Sequence, residues 1–172
     1  MNINFKDHIP EGFNDDSRIW IYQSNRLFAI DEASQIEATL KQFAKNWKSH
    51  GIEVKGYANL FFGQFIIVMA DETATGVSGC STDSSVRVIK EIEQKFDVQL
   101  FERQTLAFII RGNIYLLPMA QLEQAIEDNL VQTHTLYFNN TVLTKEELLN
   151  KWIIPVNESW LSKRYKFPVA VN

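Results

Sequence analysis

The chain has 172 residues, 45% hydrophobic and 22% charged, a composition that suits one globular domain and excludes a disordered or fibrous one. A formal charge of −4 offers phosphate backbones and anionic lipids no general attraction, so neither nucleic acid nor a membrane is an expected partner. The single cysteine, Cys80, cannot form an internal disulfide, and with 12 Phe, 5 Tyr and 4 Trp to fill a core none is needed, which predicts a cytoplasmic setting.

Residues 1–16 carry Lys6, Asp7, Glu11, Asp15 and Asp16 without an apolar stretch of signal-peptide length. The longest apolar run, at 65–70, falls far short of the ~20 residues a membrane helix needs. No repeat or Pro/Ser-rich linker interrupts the chain. Residues 1–172 therefore read as a single domain, with 1–17 as a loosely attached polar arm and 156–172 as a C-terminal tail.

The run RIWIY at 18–22 alternates and is rich in β-formers, which predicts a strand. Asp31 suits a helix N-cap. Behind it Ala33, Ile36, Leu40, Phe43, Ala44 and Trp47 recur at spacings of three and four, predicting a helix that stops near His50-Gly51. Residues 53–62 and 64–71 read as strands joined at Gly63-Gln64, with glycine first in a II′ turn. The second of them is apolar on consecutive residues, as a central strand covered on both faces would be.

After a loop at 72–80, Ser81 or Thr82 caps a helix that turns Ser85, Val88, Ile89, Ile92 and Phe96 inward. Residues 106–111 and 114–117 flank Gly112-Asn113, a second hairpin signal. Pro118 opens a helix carrying Met119, Leu122, Ile126 and Leu130. A strand at 136–138 follows, then a helix opened by a Thr144/Glu147 capping box and ended by Pro155. The order β-α-β-β-α-β-β-α-β-α predicts an α+β fold, mostly antiparallel sheet with helices on one face. Its first six elements match a ferredoxin-like βαββαβ core, followed by a C-terminal hairpin and helix extension.

One segment could carry chemistry. Between the buried strand and the second helix stand Gly76, Ser78, Gly79, Cys80, Ser81, Asp83, Ser84 and Arg87. Free N–H groups at a helix start favour anions, and glycines allow a ligand to approach the backbone. Ser81 and Ser84 supply hydroxyls, and Arg87 a bidentate counter-charge. Cys80 at that position is a candidate nucleophile or redox thiol. Against these stands the plain alternative that Ser, Thr and Asp cap helices everywhere and that a lone cysteine is usually a small core residue. His8, His50 and His134 lie far apart without ligand spacing, so neither a metal nor a cofactor is expected. The aromatics and cations of 160–167 either dock a partner or fold back on their own domain. Arg18, Arg26 and Arg103 either converge on one site or pair separately with carboxylates.

The runs RIWIYQSNR at 18–26, SGCSTDSSVR at 78–87 and FER at 101–103, with the late Trp152, Pro155, Ser159-Trp160 and Lys163-Arg164, resemble an uncharacterised family of small bacterial proteins, mainly from Bacteroidetes. Nearly the whole chain takes part in the resemblance. The family has no established activity, so the resemblance implies no catalytic residue. Its members are often labelled ABC transporter ATPases by automated pipelines. This sequence does not support that label, because a P-loop needs a Gly-Lys pair to reach the phosphates and no glycine here precedes a lysine.

Three readings follow. The leading one is a cytoplasmic binding or adaptor module with a small anionic ligand at the 76–83 loop. The second is a thiol-dependent enzyme or redox protein using Cys80, oriented by Asp71 or Asp83. The third is a domain for protein contacts, including a homodimer through an exposed sheet edge.

Overall fold

The computed structural model describes residues 3–73 and 79–168, the side chains of 79–81 excepted. The fold is α+β with antiparallel sheets. The described residues gather into two compact units: Asn4–Glu102 with Val142–Leu149, and Ile3 and Arg103–Thr141 with residues 150–168.

The first unit contains β1 (Arg18–Gln23), α1 (Ile30–Asn46), the two-residue strands β2 (Lys48–Ser49) and β3 (Ile52–Glu53), β4 (Lys55–Phe61), β5 (Phe65–Asp71) and α2 (Gly79–Phe96). Its sheet runs β1-β5-β4, antiparallel throughout. Every residue of β5 is buried, as its unbroken apolar run predicts. Ile66, Val68 and Ala70 meet Ile36 and Leu40 of α1 and Ile89 and Ile92 of α2. The 3.6-residue periodicities thus deliver both helices to one face.

Several boundaries differ from the sequence expectation. Glu32, not Asp31, closes the start of α1 by accepting the Ala29 N–H at 2.8 Å. The helix stops at Asn46 because Trp47 leaves the helical region and buries its ring. A Cβ on Gly56 would stand 2.6 Å from Trp47 Cε3, so only glycine lets the ring lie flat there. His50 and Gly51, at φ 50° and 82°, turn the β2–β3 hairpin instead of ending the helix. At the β4–β5 turn both Phe62 and Gly63 have positive φ (53° and 63°), as in a I′ turn; the II′ turn expected at Gly63-Gln64 needs only its first residue there. Ser81 and Thr82 lie inside α2, which begins at Gly79.

The second unit holds β6 (Thr105–Ile110), β7 (Asn113–Pro118), α3 (Leu122–Glu127), β8 (Leu136–Phe138), the C-terminal end of α4 (Lys145–Lys151), β9 (Ile153–Pro155) and α5 (Leu161–Arg164). Its sheet order is β7-β6-β8-β9. The β6–β7 turn falls on Arg111-Gly112, at φ 51° and 76°, one residue before the expected pair. Pro118 ends β7, and α3 stops at Glu127, so Leu130 lies beyond the helix and is exposed. Pro155 closes a strand paired to β8, not a helix. The tail folds back: Trp160, Tyr165 and Phe167 pack on the cluster of Leu106, Phe108, Leu122 and Ile126. Trp160 Nε1 donates to Tyr137 Oη at 3.2 Å.

Five of the six ferredoxin-like elements are in place, since β1-α1-β4-β5 is a split β-α-β unit followed by α2. The sixth is not. A ferredoxin-like sheet would set β6 beside β1, but β6 opens the other sheet with β7 and β8. The outer edge of β1 is met instead by the chain entering α4, where Leu143 O accepts the Ile19 N–H at 2.9 Å and Thr144 bridges Arg18. In that entry Thr144 Oγ1 accepts the Glu147 N–H at 3.2 Å. The Glu147 carboxylate accepts the Leu143 N–H at 2.9 Å.

Residues 4–17, expected as a loose polar arm, bury Phe5, Ile9 and Ser17. They are tied to the face of the sheet opposite the helices. Tyr57 Oη donates to His8 O at 2.7 Å, and Lys145 Nζ to Phe13 O at 2.6 Å. Asp71, 3% exposed, accepts from Lys55 Nζ at 2.7 Å, Asn14 N at 3.3 Å and Thr73 Oγ1 at 2.6 Å. Lys55 also donates to Gly12 O.

Lys55, then Thr73, hold the Asp71 carboxyl well below the usual carboxylate range, against the opposing effect of burial. A depressed value contributes stability that is complete above the unfolded value near ~3.9 and is lost as pH falls below it. Asp71→Asn is expected to lower the unfolding free energy by about 2 kcal/mol at pH 7, the scale of hydrogen bonds to a buried charge. Urea titrations of both proteins should show that difference shrinking by about 1 kcal/mol at pH 3; a difference equal at both pH values contradicts the assignment.

Candidate functional site

The helices α1 and α2 share a core, and a groove lies between the C-terminal end of the first and the N-terminal half of the second. On α1, Thr39, Gln42, Phe43 and Asn46 follow helical spacing and present one stripe. On α2, Ser84, Arg87 and Val88 do the same from the opposite side. Trp47 and Lys48 close the end, and the result is an open groove of about 470 Å³, within the range of small-molecule sites.

Its wall is aromatic. Phe43 and Trp47 stack with ring centroids 5.0 Å apart, and Trp20 meets Trp47 edge-on at 6.2 Å. Its charge is of one sign. Lys48 and Arg87 are cations, and no carboxylate is among the described lining residues. Among the described residues neither cation has an ion-pair partner. In a chain of net charge −4 that is a local inversion of sign, and it favours an anion.

The sequence-derived site residues divide as follows. Ser84 and Arg87 line the groove. Asp83, one position away on α2, is exposed and is not part of the lining. Gly79 begins α2. Gly76 and Ser78 lie outside the described residues, as do the side chains of Cys80 and Ser81. Phe43, Trp47 and Lys48 were not in the expected set. The i, i+4 pair Phe43/Trp47 followed at once by a lysine is the signal that could have found them.

Arg18 and Arg26 do not share one site. Arg18 lies 4.9 Å over the Trp20 ring at the start of β1. Arg26, past the other end of that strand and so more than ~15 Å away by strand rise, forks onto Glu32 at 2.7 and 2.9 Å and donates to Phe96 O at 2.7 Å. Arg103 is exposed in the other unit. Among the described residues no group of three His, Cys, Asp or Glu side chains could hold a metal, and no helix is long and apolar enough to cross a membrane. No family model, curated protein or solved structure matches the chain.

The Arg26 fork is structural: it pins the turn before α1 to the end of α2. Arg26, helped by the Ala29 N–H, lowers the Glu32 carboxyl to about 2. Carbon-detected NMR titration of Glu32 should give a midpoint near that value, and in Arg26→Met a clearly higher one that the Ala29 N–H still holds below the unperturbed ~4.3. A midpoint unmoved by the substitution contradicts the pairing.

Proposed function

We propose that the protein is a cytoplasmic binding module whose α1–α2 groove takes a small anionic ligand with an apolar or planar portion. The observation that carries this reading is the pairing of two cations, Lys48 and Arg87, with an aromatic wall and no carboxylate among the described lining residues. Arg87 supplies a bidentate fork to a carboxylate or phosphate, and Lys48 a second point charge. The Ser84 hydroxyl is positioned on the same wall. Phe43 and Val88 offer apolar surface to the rest of the molecule. The site thus lies about one and a half to two and a half turns inside α2, further along than the 76–83 loop.

The thiol reading has less support. Asp71, one of its two orienting groups, already has both carboxylate oxygens engaged by Lys55, Asn14 and Thr73.

The test is a thermal-shift and calorimetric screen against phosphates, nucleotides and aromatic and aliphatic carboxylates. At 100 times its dissociation constant a true ligand stabilises the fold by ~2.7 kcal/mol, a shift of several degrees. Arg87→Ala should weaken that ligand about tenfold or more, the scale of a lost charge-assisted fork, and Lys48→Ala less. No shift from any anion, or one that survives the Lys48→Ala/Arg87→Ala pair, contradicts the reading.

A further inference from the structure

The opposite side of α1 borders a second groove. β4 is the last strand of its sheet, and among the described residues no strand pairs with its outer edge. Between that edge and α1 lies a space of about 540 Å³. Its strand side is Gly56, Tyr57, Ala58 and Asn59, and its helix side carries Ala38 between Glu37 and Lys41. An edge strand presents unpaired N–H and C=O groups on alternate residues, a template for another strand. Gly56, Ala58 and Ala38 add little bulk where such a strand would lie.

Direction and charge narrow the occupant. Trp47, just past the end of α1, lies on Gly56 near the start of β4, so helix and strand run in opposite directions. A segment pairing antiparallel with β4 therefore runs along α1 from its N-terminal to its C-terminal end. It meets Glu37 first and Lys41 four helical residues later, a rise of ~6 Å. Two residues of an extended strand span ~6.8 Å and point to the same face. Among the described residues neither Glu37 nor Lys41 has an ion-pair partner.

We propose that the groove between α1 and the open edge of β4 binds an extended peptide by strand addition, antiparallel to β4. A basic side chain of the peptide meets Glu37, and an acidic one two residues later meets Lys41. The main chain of β4 supplies the hydrogen bonds and the charge order supplies the selection. This site is separate from the anion groove and does not rest on it.

The test uses the full chain and a fluorescein-labelled octapeptide of alternating Thr and Val with Lys at its fourth position and Glu at its sixth. Fluorescence anisotropy should show it binding about fivefold or more tightly than the peptide with Glu fourth and Lys sixth, since reversal turns two attractive contacts repulsive. Glu37→Lys/Lys41→Glu, a pair of exposed positions, should invert that preference. N-methylation of one alternate set of peptide nitrogens should abolish binding and methylation of the other set should not, because successive N–H groups of a strand point to opposite edges and only one set faces β4. Equal affinity for both charge orders, equal effects of both methylation sets, or no binding below about 1 mM overturns the proposal. So does sedimentation showing a dimer that Glu37→Lys/Lys41→Glu abolishes, which would give the edge to a second copy of the chain.

Discussion

Asp71 ends a strand whose every residue is buried, and its charge has to be met where water does not reach. An isolated carboxylate in such a place costs several kcal/mol, so the fold must bring donors to it. Lys55 arrives from the opposite position in β4, Asn14 from the N-terminal segment, and Thr73 from the chain just beyond. Lys55 also fixes the path of the N-terminal segment, and a second lysine helps it. Lys55 also holds Gly12 and lies 4.9 Å over the Phe13 ring, and Lys145 takes the Phe13 carbonyl from α4. A segment rich in charge is thereby laid over the sheet face that the helices leave uncovered. The unbroken apolar run of β5 dictates two covered faces, and Asp71 selects what lies over the second.

With one face of the sheet covered in that way, the other is free to carry α1 and α2, and both candidate sites are consequences of how α1 sits. One side of it borders the groove beside α2, lined by Phe43, Lys48 and Arg87. The other side stands off the edge of β4 and exposes Glu37 and Lys41. The two grooves differ in the way their chemistry differs. The first is cationic and aromatic, suited to a compact anion, while the second has both charge signs, small side chains and an open ladder, suited to a main chain.

The elements whose evidence is periodic were legible in the sequence. Ile36 and Leu40 on α1, Ile89 and Ile92 on α2, and the run of β5 all reach the core that their spacing implies. Turns were less legible, because a glycine reports that positive φ is needed without reporting which of its neighbours shares it. Phe62 and Arg111 both take positive φ beside a glycine, a conformation their own types disfavour. The sixth strand was legible as a strand, but its residues do not say which sheet edge it will join. Five helical and strand elements therefore fell in the ferredoxin-like order and β6 did not.

Of the candidate site, Ser84 and Arg87 could be read from their place on a helix after a glycine-rich turn. Phe43 and Trp47 could not, since an aromatic pair at helical spacing reads first as core, and Trp47 is buried apart from the edge it gives the groove.

The central claim is that the buried charge of Asp71 organises the N-terminal segment. Native-state amide hydrogen exchange on the wild-type chain and on Asp71→Asn tests it residue by residue. Amides at 8–17 are expected to lose protection in the variant while those of β5 still exchange only through global opening. Equal loss in both places, or unchanged protection at 8–17, would contradict it.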